Sequence, residues 1–176
     1  MVARILLPAV LTILLITAAA MGREGRTMDE LRISSPAFAH RGEIPSRFTC
    51  DGQDVNPALE FGPAPAGARS LALIVDDPDA PVGDWVHWLV WNIPPATRGI
   101  KENGFPAEAV QGLNGWKTNR YGGPCPPSGT HRYFFRLYAL DITLSLPKAS
   151  TKADLEWAMR GHILASGELM GTYRHH

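Results

Sequence analysis

The sequence predicts a mainly β protein, a sandwich of strands with one short helix near its C-terminus. Three observations carry that expectation. Fifteen prolines and seventeen glycines are spread along the chain and cut it into short segments, which suits turns and strands rather than a helical bundle. Between these breaks, runs rich in aromatic and β-branched residues follow one another. Only one late segment combines helical spacing with a start signal.

The elements follow in order. "SLALIVDD" from Ser70 is a continuous apolar run, as a strand buried on both faces would be. "WVHWLVWNI" from Trp85 is a second strand, where strict alternation sets His87, Leu89 and Trp91 on one face and Val86, Trp88 and Val90 on the other. "HRYFFRLYALDI" from His131 is a third. Gly/Pro breaks such as "NIPP" and "GGPCPPSG" separate them, and "FGPAPAGARS" (61–70) is a loop between strands. Thr151 precedes "KADLEWAMRGHIL" with Asp154 three residues on, approximating a capping box. Leu155, Ala158, Met159 and His162 then fall at helical spacing and can pack on a sheet. "GELMGTYRHH" closes the chain as a strand or an extended tail.

With 176 residues, no linker and no repeat, the chain holds one domain. Seventeen basic residues balance seventeen acidic ones with no run of either sign, which excludes the basic stripe that nucleic-acid binding requires. The N-terminus stands apart. "MVARILLPAVLTILLITAAAMG" has Arg4, an apolar run to Ala20 and a small-x-small end at Ala18–Ala20. Residues 1–20 therefore read as a secretory signal peptide, and the protein as exported, periplasmic or secreted. Translation from Met21 or Met28 would instead leave it in the cytoplasm. Residues 21–32 read as a flexible, polar lead-in, and 33–176 as the folded domain. Two cysteines, Cys50 and Cys125, suit either a disulfide in an exported protein or two buried thiols. Neither belongs to a C-x-x-C pair, so thioredoxin-type redox chemistry and structural zinc have little support.

Two stretches could carry chemistry. In "DPDAPVGDWVHW" (77–88), Asp77 and Asp79 flank a proline at the end of a strand, and His87 stands between tryptophans. Turn preferences alone explain an aspartate beside proline, and a lone histidine on an apolar strand is by default a core residue. The second stretch, "YGGPCPPSGTHRYFF" (121–135), shifts that balance. It is a loop stiffened by proline and opened by glycine, and it leads to His131 at the start of another strand. Two histidines beside rigid turns can converge at one end of a sandwich, where binding sites tend to form.

These two motifs, with "FTCDGQDVNPALEF" and "GHILASGELMGTYR", resemble the phosphatidylethanolamine-binding protein family in its bacterial Raf-kinase-inhibitor-like branch. The resemblance runs from about Ile33 to Arg174. It implies a sandwich of two antiparallel sheets with a few short peripheral helices, one near the C-terminus, and a small anion pocket at one end. On the matching positions that pocket takes Asp77, Asp79, Trp85 and His87 from the first motif, and Cys125, Pro126, Pro127, His131 and Tyr133 from the second. The chain departs from the eukaryotic pattern in three ways. Cys125 replaces a glycine before the paired prolines, the interval to His131 is shorter, and Val86-His87 stands where two histidines are common.

The resemblance implies non-catalytic binding of phosphate or a phospholipid headgroup such as phosphorylethanolamine, with no cofactor and no metal. Bare carboxylates repel phosphate, so imidazole, phenol and amide donors must outweigh them. One aspartate would orient a histidine, Asp77 serving His87, and the other would meet the ammonium of a zwitterion. Three alternatives stand beside this. A hydrolase could use the Asp/His pair, although no G-x-S-x-G elbow is present and Ser128 is explained as a turn residue. Zinc could bind the two histidines and two aspartates. An interaction module could inhibit a kinase or protease through an unidentified partner. Arg120, Arg132 and Arg136 are expected to hold local geometry.

Overall fold

The computed structural model describes residues 29–175, so the expected signal peptide (1–20) and most of the lead-in lie outside the described residues. The strands are β1 (Asp29–Glu30), β2 (Ile33–Ser34), β3 (Leu59–Phe61), β4 (Ser70–Asp77), β5 (Trp85–Ile93), β6 (Gly99–Ile100), β7 (Val110–Gln111), β8 (Thr130–Leu140) and β9 (Ile163–Arg174). A single 3-10 turn spans Ser46–Phe48, and one α-helix, α1 (Lys152–Met159), is present among the described residues. The strands form a six-stranded sheet in the order β1-β9-β8-β4-β5-β7 and a three-stranded sheet β2-β3-β6. All neighbours are antiparallel except the edge pair β1 and β9. The lead-in is thus shorter than its polarity suggests. Asp29 and Glu30 pair with Ala165 and Ser166, and Leu31 is buried, because the β9 edge offers a backbone ladder that side-chain polarity does not report.

Strand β4 is buried along its whole length, as its continuous apolar run predicts. Its alternate residues feed two cores. Leu71, Leu73 and Val75 pack between the sheets with Trp88, Val90, Phe135 and Leu137. Ala72 and Ile74 pack on the opposite face with Leu89, Trp91, Leu155 and Met159 under α1. The helix starts where the capping box places it, with Thr151 and Asp154 exchanging side-chain and backbone hydrogen bonds. It stops sooner than the apolar spacing suggests. Gly161 has φ +79°, and His162 lies beyond the helix, its Nδ1 2.8 Å from Asp141.

Strict alternation fails on β5 at two places, one between Val90 and Ile93 and one at His87, and the second shapes the site. Val75 is opposite Trp88, but the next residue, Asp76, is opposite Val86. His87 is therefore the extra residue of a β-bulge. The bulge separates it from Leu89 and Trp91, which pack under α1. Its ring stands edge-on to Tyr133, in the core between the sheets, with centroids 5.1 Å apart.

Asp76 closes the helix-side core. It is fully buried and ion-paired to both Arg136 and Lys152, while Lys152 also reaches Asp84. Burial pushes its carboxyl up, against the downward pull of Lys152 and Arg136. Asp76→Ala would strand two cations that keep some contact with water. It is expected to cost about 3 kcal/mol in urea unfolding, the low end for a broken buried pair.

Candidate functional site

The end of β4, the start of β5 and the loop before β8 meet at one end of the larger sheet and enclose a cavity of about 400 Å³. The size suits a small ligand. Seven of the nine sequence-predicted residues line it: Asp77, Trp85, His87, Cys125, Pro126, Pro127 and His131. Asp79 and Tyr133 are not among the lining residues.

At the base of the cavity, Asp77 Oδ2 lies 2.7 Å from His131 Nδ1, with both side chains buried. Asp77 faces Trp85 across β4 and β5, while His131 is the second residue of β8, so two ladders fix the pair. The other carboxylate oxygen of Asp77 accepts the Asp79 N–H at 2.9 Å, closing the turn that follows β4. The carboxylate–imidazole pair thus joins Asp77 to His131, not to His87 as the sequence suggested. The bulge accounts for this by sending His87 elsewhere.

Asp79 has a different task from ligand contact. Its carboxylate accepts two bonds from the Arg132 guanidinium, at 2.7 and 2.9 Å, and one from the Arg132 backbone N–H at 3.0 Å. The fork lowers its pKa to about 2. It straps the turn to β8, and Arg132 holds local geometry as expected. Arg136 does the same through Asp76 and Glu168.

His87 donates from Nδ1 to the Gly122 carbonyl at 2.6 Å, which leaves Nε2 as the lone-pair nitrogen. Burial pushes its pKa down, overriding the carbonyls and Asp77 that favour charge. The imidazole is therefore a neutral acceptor, where the sequence reading made it a cationic donor. Tyr133 sits behind it, fully buried, with its hydroxyl close to Asp77 and the Cys125 backbone but in a well-formed hydrogen bond with neither. Burial and then the Asp77 charge raise its pKa beyond the tyrosine range, so the proton stays on.

The remaining wall is apolar and stiff. Trp85 and Trp116 stand edge to face at 5.3 Å, and Trp116 also meets the His87 ring at 5.3 Å. Trp116 was missed in the sequence. Its signal was a large aromatic inside the polar, turn-rich run "GLNGWKTN". Gly122 must be glycine for this packing, since a Cβ there would come within 2.5 Å of the Trp116 ring. Ala80, Pro81 and Val82 complete the rim from within the first motif. The loop carrying Cys125 is tied down by the Cys50–Cys125 disulfide, by Gly123 N–H donating to Asp54, and by Tyr121 Oη donating to Phe48. Of the two readings open for the cysteines, the structure has the disulfide.

With fold and geometry in place, comparison with known proteins is direct. The phosphatidylethanolamine-binding protein family model matches residues 34–174. The chain belongs to that family. Curated relatives of the same domain are described as UPF0098 proteins. One from Methanothermobacter thermautotrophicus is 50% identical over 149 residues, 82% of this chain and 99% of its own. One from Pyrococcus horikoshii is 42% identical over 176 residues, 96% of this chain and 88% of its own. Among solved structures, a phosphatidylethanolamine-binding protein homolog from Chlamydia trachomatis is similar at 42% identity and TM-score 0.80, covering 84% of this chain and 99% of that one. E. coli YbcL, described as a member of the mammalian PEBP family, is similar at 28% identity and TM-score 0.78, with the same coverage.

The buried neutral His87 makes acid stability a readout of the site. Its folded pKa lies below the unfolded value of about 6.5, so the unfolded chain binds more protons as pH falls below that value. Stability is thus complete above about pH 6.5 and declines on acidification, by up to about 1.4 kcal/mol per pH unit. His87→Asn, which can keep the bond to Gly122, is expected to flatten this slope in chemical denaturation between pH 7 and 5.

Proposed function

We propose that the chain is a non-catalytic binder of a small phosphate-bearing ligand, either free phosphate or a headgroup such as phosphorylethanolamine. The observation that carries this reading is the Asp77–His131 pair at the cavity base. An imidazolium held at Nδ1 by a buried carboxylate presents its Nε2–H to the ligand, and the pair together is neutral. A phosphoryl oxygen can then approach without facing a bare carboxylate. His87 supplies the complement, a lone pair at Nε2 that suits a P–OH or an ammonium N–H. The Trp85 and Trp116 rings border the same space and suit an ammonium by cation–π attraction. This assigns the zwitterion's cation to His87 and the indoles, since Asp79 is committed to Arg132.

The lining has no serine, threonine or tyrosine, and its cysteine is in the disulfide, so a hydrolytic reading through a hydroxyl or thiol nucleophile finds no support there.

Calorimetric titration with inorganic phosphate and with phosphorylethanolamine tests the reading. His131→Ala removes a charge-assisted hydrogen bond and is expected to weaken both ligands by about ten- to a hundredfold. Asp77→Asn decides what the carboxylate does. Loss of affinity is expected because the imidazolium loses its support, whereas tighter phosphate binding would mean that Asp77 only repels the anion and the reading is wrong.

A further inference from the structure

A second cluster of chemically able groups lies on the outer side of the cavity wall. Cys50 follows the 3-10 turn, Cys125 stands in the wall itself, and His175 follows the end of β9. Their two sulfurs and a ring nitrogen all lie within 4.8 Å of one another, and all three residues are exposed. The His175 ring is already oriented, with Nδ1 2.9 Å from Asp51 Oδ2. Asp51 also accepts from the Tyr173 hydroxyl at 2.5 Å. A carboxylate holding one nitrogen of an imidazole whose ring stands beside two sulfurs is the arrangement that supports a zinc-ligating histidine.

We propose that this cluster is a redox-gated zinc site: oxidised, it is the Cys50–Cys125 disulfide, and reduced, it holds Zn²⁺ through Cys50, Cys125 and His175. In the reductive step a thiol or phosphine reductant is oxidised. A dithiol becomes its own disulfide, or a phosphine takes an oxygen from water to become the phosphine oxide. The S–S bond breaks, and the two sulfurs receive two electrons and two protons. Zinc then displaces both protons to give two thiolate bonds, His175 Nε2 supplies the third, and water completes the tetrahedron. Thiolate and imidazole together select a borderline-soft ion over calcium or magnesium. Two thiolates on one tetrahedral zinc sit about 3.8 Å apart. A Cα–Cα distance of 5.4 Å accommodates this by side-chain rotation.

The consequence reaches the cavity. Cys125 belongs to its wall, so zinc would replace the disulfide as the clasp between that wall and the Cys50 loop. The same pocket would be held in shape in an oxidising compartment by a bond, and in a reducing one by a metal.

The test uses the full chain, oxidised or reduced with a phosphine that is then removed under anaerobic gel filtration. Zinc uptake is measured by competition with a chromophoric chelator, and cobalt(II) is added in parallel as a spectroscopic probe. The reduced chain is expected to take up about one zinc and to show a thiolate-to-cobalt charge-transfer band, with the oxidised chain showing neither. His175→Ala, at an exposed position, is expected to weaken zinc by at least about tenfold. Zinc should also raise the melting temperature of the reduced chain. Equal uptake by oxidised and reduced protein overturns the proposal, as does a cobalt spectrum unchanged in His175→Ala. A reduced chain that unfolds and is not restored by zinc overturns it equally.

Discussion

The contact between Asp77 and His131 is the constraint on which the site depends. A carboxylate and an imidazole, both withdrawn from water, each carry a desolvation cost that the other offsets in part at 2.7 Å. Holding them in register requires β4 and β8 to pair along their length, from Ser70 opposite Leu140 to Asp76 opposite Phe134. It also requires the turn after β4 to be closed tightly, which Asp77 does through the Asp79 amide and Asp79 does through Arg132. The two aspartates of one short motif thus have distinct roles. One faces the cavity, and the other anchors the turn that presents the first.

The rest of the cavity is shaped by a single irregularity. A β-bulge adds His87 to β5 and points it at Tyr133 and Trp116 rather than into the helix-side core. Its bond to the Gly122 carbonyl couples β5 to the glycine–proline loop, and the disulfide couples that loop to the segment around Cys50. Preorganisation here is literal. The Asp79–Arg132 fork, the His87–Gly122 bond and the disulfide hold these walls, so a ligand has less to order when it binds.

Two kinds of signal were legible. Bounds of β4 and β5 and the capping box at Thr151 follow from apolar runs and turn residues, and the seven lining residues follow from the family resemblance of two motifs. What stayed hidden depended on register. A bulge adds one residue without changing composition, so the face of His87 and its separation from Asp77 could not be read from alternation. The pairing of Asp79 with Arg132 crosses 53 positions, and that of Cys50 with Cys125 crosses 75. Likewise β1 is polar in sequence and structured only because the β9 edge is there to receive it. Trp116 needed no partner to be suspicious, only notice of an indole in a loop.

The account turns on which histidine is charged when phosphate is bound, and one spectrum reports it. Imidazole nitrogen shifts of ¹⁵N-labelled protein, recorded with saturating phosphate near neutral pH, distinguish the charged ring from each neutral tautomer. The account predicts His131 protonated on both nitrogens and His87 neutral with its proton on Nδ1. A neutral His131 beside bound phosphate, or a doubly protonated His87, would contradict it.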